Sequence, residues 1–176
     1  MNYSFNFFTP TQLLFGSGRL EELKEVAPKY GSKCLLVSRP LEGSLKIIYQ
    51  RVEKLLNSVN VEVIFFDEII PNPTIEGIEK GVIAAVKNQV DFVLGVGGGS
   101  VMDSAKLIAL LHHPGGEINW EKALISYNHP FNYVASKQYT LPFIAVSTTS
   151  GTGSQCTQAA VISDNQKKEK ITLFHL

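Results

Sequence analysis

Strand-length apolar runs alternate along this chain with amphipathic helical stripes, and this alternation constrains the fold more than any other feature. Cys34-Leu35-Leu36-Val37 is a continuous apolar run, the pattern of a parallel strand covered on both faces. A helix is expected from about Gly43 to Asn57, with Leu45, Ile48, Val52 and Leu55 at helical spacing. Val61-Glu62-Val63-Ile64-Phe65-Phe66 reads as the next strand. Thr74 is a natural N-cap for the stripe Ile75, Ile78, Val82 and Val86, which runs to Asn88. Asp91-Phe92-Val93-Leu94-Gly95-Val96 is a third strand and runs into Gly97-Gly98-Gly99. A helix carrying Val101, Ala105, Ile108 and Leu111 follows. Leu141-Pro142-Phe143-Ile144-Ala145-Val146-Ser147 reads as a further buried strand.

Strands alternating with helices imply a parallel sheet with right-handed crossovers. The expected class is therefore α/β, a Rossmann-like parallel sheet flanked by helices, with residues 1–176 as one domain. At the N-terminus, Phe5-Asn6-Phe7-Phe8 and Gln12-Leu13-Leu14-Phe15 flank Thr9-Pro10-Thr11 and predict a β-hairpin. A helix starting at Ser17 or Gly18 and ended by Gly31 carries Leu20, Leu23 and Val26-Ala27 on one face. The stretch 114–138 reads as irregular, with a short segment around Trp120. Ala159-Ala160-Val161-Ile162 and Ile171-Thr172-Leu173-Phe174 read as strands. The apolar ending Leu173-Phe174-His175-Leu176 raises the expectation that the chain is the first part of something longer.

Charge and composition exclude several function classes. Sixteen basic and sixteen acidic residues cancel, which argues against a strongly basic nucleic-acid binder and leaves no polybasic patch for a membrane. No apolar run approaches the ~18 residues that a membrane-crossing helix needs, and Met1-Asn2-Tyr3-Ser4-Phe5 does not open a secretory leader. Cys34 and Cys156 make no disulfide framework, so reduced thiols in a cytoplasmic protein are expected. His112 and His113 are adjacent and point about 100° apart on a helix. His129 precedes a proline and His175 is next to last, so no metal-ligand spacing is present.

The segment Gly97-Gly98-Gly99-Ser100-Val101-Met102-Asp103-Ser104-Ala105-Lys106 is the strongest candidate for chemistry. Glycines between a strand and a helix let backbone approach a ligand closely, and the helix start presents free N–H groups to a phosphate. Ser100 can cap that helix or donate to phosphate, and Asp103 lies in its first turn. A P-loop is not present, because Lys106 lies seven residues past Gly99, and the dinucleotide fingerprint is only half matched by Gly95-Val96-Gly97-Gly98-Gly99-Ser100. A tight, purely structural turn remains the alternative. The second segment, Ser147-Thr148-Thr149-Ser150-Gly151-Thr152-Gly153-Ser154, offers small hydroxyls and glycine amides after another strand. It suits a second wall of a nucleotide pocket, or else a flexible loop. A serine nucleophile is not indicated, since Gly98-Gly99-Ser100-Val101-Met102 lacks the final glycine of the hydrolase elbow. Both turns follow strands of one parallel sheet, beyond whose carboxyl ends ligands bind.

These two segments, together with Pro71-Asn72-Pro73-Thr74 and the Phe15-Gly16 turn, resemble the iron-containing (group III) alcohol dehydrogenases over the whole chain. That resemblance implies the N-terminal α/β domain of a two-domain, NAD(P)-dependent oxidoreductase. The family's helical second domain, which holds Fe²⁺ or Zn²⁺, has no counterpart here, so the resemblance assigns no catalytic or metal residue to this chain. It implies that Gly98, Gly99 and Ser100 hold the pyrophosphate, with Gly97 and Asp103 also in the cofactor-binding set. Asn72 is expected close to the cofactor, and Thr148, Thr149 and Thr152 on the nicotinamide side. Lys170 is expected at the ribose or nicotinamide end, or else as a solvated charge in its lysine run. Val37-Ser38-Arg39-Pro40 lacks the carboxylate that NAD-preferring members place there, and Arg39 suits a 2′-phosphate, which favours NADP over NAD. Gln155 stands where the family usually has Glu. The expected substrate is a small alcohol or aldehyde, the expected assembly a homodimer, and turnover by this chain alone is not expected. Two other readings stay open, a free-standing nucleotide-binding module and a relative of the glycerol dehydrogenases or dehydroquinate synthases.

Overall fold

The structure is a computed structural model and describes residues 4, 10–130 and 140–174. Four strands, β1 (Lys33–Val37), β2 (Glu62–Phe66), β3 (Phe92–Gly97) and β4 (Phe143–Ser147), form one parallel sheet in the order β2-β1-β3-β4. The chain steps from β1 outward to β2, then returns across β1 to β3 and β4. Its winding direction therefore reverses between β1 and β3, and the crevice outside the carboxyl ends at such a reversal is where open α/β sheets take ligands.

The alternation in the sequence becomes two helical layers. Leu36, Phe92, Leu94 and Val96 face Leu23 of α1 (Leu23–Val26) and Tyr49, Val52 and Leu56 of α2 (Lys46–Asn57). Leu35, Val37 and Val93 face the opposite layer, with Ile78, Val82 and Ala85 of α3 (Ile75–Asn88) and Met102, Ala105 and Ile108 of α4 (Gly99–Leu111). β3 is buried at every residue, as its unbroken apolar run requires. Each fully buried Leu, Ile or Val here contributes roughly 1.5–3 kcal/mol. Thr74 caps α3 by accepting from the Gly77 amide at 3.2 Å, as its sequence position predicts.

The structure departs from the sequence reading in three places. Gln12-Leu13-Leu14-Phe15 forms no strand among the described residues, and Phe5-Asn6-Phe7-Phe8, the other expected limb of the hairpin, lies outside them. Aromatic and aliphatic residues favour strands only where a neighbouring surface packs them, and Leu13 and Phe15 are 64% and 86% exposed. The first expected helix is a succession of short pieces, with single 3-10 turns at Arg19–Glu22 and Ala27–Lys29 on either side of α1. Pro28 supplies no amide to continue a regular helix. Within the stretch read as irregular, α5 (Trp120–Ser126) is a helix, capped by the Asn119 side chain accepting from the Lys122 amide at 2.9 Å. The two strands expected near the end of the chain are present as β5 (Ala159–Asp164) and β6 (Glu169–Phe174), outside the parallel sheet. They form their own antiparallel pair, packed on α4.

Candidate functional site: a cleft at the N-terminus of helix α4

The turn from β3 into α4 is built on close approach. A Cβ on Gly97 would stand 2.6 Å from Val101 Cγ2, one on Gly98 3.0 Å from Thr149 Oγ1, and one on Gly99 2.9 Å from Thr152 Cγ2. The two glycine-bearing turns are thus pressed together. Their strands pair directly, Gly97 opposite Ser147, and the Thr148 amide donates to the Gly97 carbonyl at 2.9 Å. Gly98 is the N-cap of α4 and carries no side chain to cap it, whereas α3 and α5 are capped by Thr74 and Asn119. Ser100 lies inside the first turn, so its hydroxyl does not cap α4. The first amides of α4 therefore face the cleft with their partial positive charge uncompensated by a cap.

That cleft has a volume of about 500 Å³. Asn72, Gly99, Ser100, Asp103, Thr152 and Lys170, all expected from the sequence, line it together. Asn72 holds a left-handed backbone at φ 56°, a conformation that asparagine tolerates better than most residues. Its side-chain carbonyl accepts from Lys170 Nζ at 3.0 Å. These partners are 98 residues apart and meet because the 71–74 loop is pinned to β5. The Ser163 amide donates to the Pro73 carbonyl at 2.8 Å, and Ser163 pairs with Lys170 across the hairpin. Gly97, Gly98, Thr148 and Thr149, also expected from the sequence, do not line this cleft; Thr148 and Thr149 belong to the facing turn, and Thr149 lies against Gly98. Arg39 lies apart from these residues. It is exposed, two residues past the end of β1, on the strand-end side where the winding reverses.

Asp103, expected in the first turn of α4, lies just beyond it, and sequence reasoning did not anticipate its internal bonds or the role of Lys106. Asp103 Oδ1 accepts from Ser154 Oγ at 2.5 Å, and its Oδ2 accepts from the Val161 amide at 3.0 Å. Lys106 Nζ lies 3.3 Å from Asp103 Oδ1 and donates to the carbonyls of Ser154 at 2.9 Å, Thr157 at 3.3 Å and Ala159. Burial pushes the Lys106 ammonium below the ordinary lysine value, and Asp103 opposes that shift. The available signal was a pair of opposite charges one turn apart on a helix otherwise made of apolar and small residues. The two thiols are free. Cys34 is buried, and burial pushes its thiol up to about 12, while Cys156 is exposed. No group of three or more His, Cys, Asp or Glu side chains able to hold a metal occurs among the described residues. The described residues therefore offer no set of side chains that fits a metal ion.

The family model for iron-containing alcohol dehydrogenase matches residues 10–176. This chain belongs to that family. It is 34% identical over 174 residues to NADH-dependent butanol dehydrogenase A of Clostridium acetobutylicum, covering 98% of this chain and 42% of the relative. Alcohol dehydrogenase 4 of Saccharomyces cerevisiae is 33% identical over 169 residues, again covering 96% of this chain and 42% of the relative. Among solved structures, a halo-thermophilic archaeal alcohol dehydrogenase from a Red Sea brine pool superposes with a TM-score of 0.82 at 32% identity, over 99% of this chain and 44% of its own. NADH-dependent butanol dehydrogenase A from Thermotoga maritima superposes with a TM-score of 0.80 at 32% identity, over 98% of this chain and 41% of its own. The chain thus has the Rossmann-like parallel sheet of its family and spans less than half the length of these relatives. No helix among its described residues is long and apolar enough to cross a membrane.

Proposed function

We propose that this chain is the NAD(P)-binding α/β portion of an alcohol dehydrogenase that moves hydride between a small alcohol or aldehyde and nicotinamide. The observation that carries the reading is the N-terminus of α4, capped by no side chain, whose Gly99 and Ser100 line a cleft together with Thr152 and Lys170. A pyrophosphate placed there accepts from the first amides of α4 and from the Ser100 hydroxyl, and meets the positive end of the helix. The absence of side chains at Gly97, Gly98 and Gly99 lets the phosphate oxygens reach backbone amides. Thr148, Thr149 and Thr152 form the wall on the nicotinamide side. Lys170, bonded to Asn72, is available to the ribose or nicotinamide end of the cofactor. The bound nicotinamide supplies or accepts the hydride; the residues here bind and orient it.

Arg39 gives the reading its cofactor preference. No carboxylate follows β1 to bond the adenosine ribose hydroxyls, and an exposed guanidinium on that side of the sheet favours the 2′-phosphate of NADP. Relatives in Clostridium acetobutylicum and Bacillus subtilis carry NADH-dependent names, so the preference at Arg39 is this chain's own proposal. An Fe²⁺ or Zn²⁺ ion is proposed only for a full-length protein of the relatives' size. A second copy of the chain is the proposed partner of the opening segment, where Leu13 and Phe15 are exposed.

Separate titrations with NADPH and NADH, read by cofactor fluorescence at fixed salt, test the proposal. Tighter binding of NADPH supports both the site and the Arg39 assignment. Equal binding keeps the site and removes the preference. Sustained turnover of an alcohol by this chain with added metal refutes the division of labour proposed here.

A further inference from the structure

Residues 154–161 pose an accounting problem that α4 solves. After β4 the chain leaves the parallel sheet, and it gains strand partners again only at Ala159, opposite Phe174. Between those points its carbonyls need donors, and an ammonium has three to give. Lys106 Nζ donates to the carbonyls of Ser154, Thr157 and Ala159. Asp103, one helical turn earlier, takes the Ser154 hydroxyl and the Val161 amide. The two side chains are 16% and 14% exposed and lie 3.3 Å apart, so the clasp is shielded from water and internally neutral. Its reach extends to the cleft, because the Ser154 amide donates to Thr152 Oγ1 at 3.3 Å and Thr152 lies against Gly99.

We propose that Asp103 and Lys106 are positioning residues: they clamp residues 154–161 onto α4 and so hold the 148–154 loop against the Gly97-Gly98-Gly99 turn at the width a dinucleotide needs. The proposal rests on the dinucleotide reading for its consequence and on the clasp geometry for its cause. It gives Asp103 a task other than touching the cofactor. Asp103 lies just beyond the first turn of α4 and lines the same cleft as Gly99 and Ser100, so its pairing with Lys106 offsets a negative charge that would otherwise oppose a phosphate there.

The test uses Lys106→Met, which keeps the stem and removes the three donors, and Asp103→Asn, which keeps the shape and removes the charge. Amide hydrogen exchange in residues 148–161 is expected to speed up at least tenfold in both, with β1 and β3 unchanged. Affinity for NADPH or NADH is expected to fall at least tenfold in the same variants. Ser154→Ala, which removes a single bond to Asp103, gives the same comparison with a smaller effect should either variant fail to fold. Unchanged exchange in residues 148–161 overturns the clamp. A loosened loop with unchanged cofactor affinity overturns its positioning role. A wild-type chain that binds neither nucleotide refutes the dinucleotide reading, and the exchange data still decide whether the clamp exists.

Discussion

Gly99→Ala separates binding from stability at the centre of the site. The added Cβ would stand 2.9 Å from Thr152 Cγ2 and 3.3 Å from Thr152 Oγ1, contacts with one exposed side chain on a loop. Thr152 can rotate away, and alanine in the first turn of α4 gains at most about 1 kcal/mol over glycine in backbone entropy. The melting temperature is therefore expected to stay within about 4 °C of wild type, since 1 kcal/mol moves a chain of this size by roughly 2–4 °C. Binding responds differently, because the methyl occupies the approach of the phosphate to the α4 amides and displaces Thr152. Losing one charge-assisted hydrogen bond costs roughly 1.5–3 kcal/mol, so cofactor affinity is expected to fall about ten- to hundredfold. Gly97→Ala makes the contrast. Its Cβ would meet Val101 at 2.6, 2.8 and 3.1 Å, and Val101 is a buried, branched side chain at the start of the same helix. Overpacking there costs about 1–3 kcal/mol and is expected to lower the melting temperature by roughly 2–12 °C. Calorimetry and NAD(P)H fluorescence on the two variants check the pair. Wild-type affinity in Gly99→Ala, or equal loss of stability in both, refutes the assignment of these glycines to backbone approach.

Three further outcomes follow from individual residues. Arg39→Ala is expected to weaken NADPH binding while leaving NADH unchanged, and equal changes in both titrations remove Arg39 from the 2′-phosphate. Thr74→Ala removes the acceptor for the Gly77 amide and is expected to cost about 0.5–2 kcal/mol, read as a lower urea midpoint at constant slope; an unchanged midpoint refutes the cap. His112, at the C-terminal end of α4, is held below the ordinary histidine value of 6.5 by burial, with a smaller effect from His113. The native state then binds fewer protons than the unfolded chain, so stability is full above that ordinary value and is lost as pH falls below it. Melting curves between pH 8 and 5 are expected to show this loss in wild type and less of it in His112→Gln. Parallel curves contradict the assignment.

Much of the fold was legible because its signals are local. The β3 run, the stripe of α3, the Thr74 cap and the glycines between β3 and α4 each express a preference within one strand or one helical turn. The family's segments lie on those same pieces, so the resemblance and the alternation point to one architecture. Gln12-Leu13-Leu14-Phe15 was misread as a strand for the same reason. Its aromatic composition suits a strand, but at Gln12-Leu13-Leu14-Phe15 no strand partner is present among the described residues. The helix at Trp120 was missed because Asn119 reads equally as a loop residue and as a cap.

The sequence by itself determined the parallel α/β arrangement, the glycine turn at the head of α4 and the set of polar residues available to a nucleotide. Only the tertiary structure decided which of them meet. Lys170 finds Asn72 across 98 residues because the 71–74 loop is pinned to β5, and Asp103 reaches Ser154 across 51. Backbone propensities act over a few residues, whereas hydrogen bonds between distant side chains exist only after packing has set the distance between their elements. The task of Lys106 is therefore invisible in the one-dimensional pattern. Its three carbonyl partners belong to a segment whose path across α4 follows from how the β5–β6 hairpin packs on that helix.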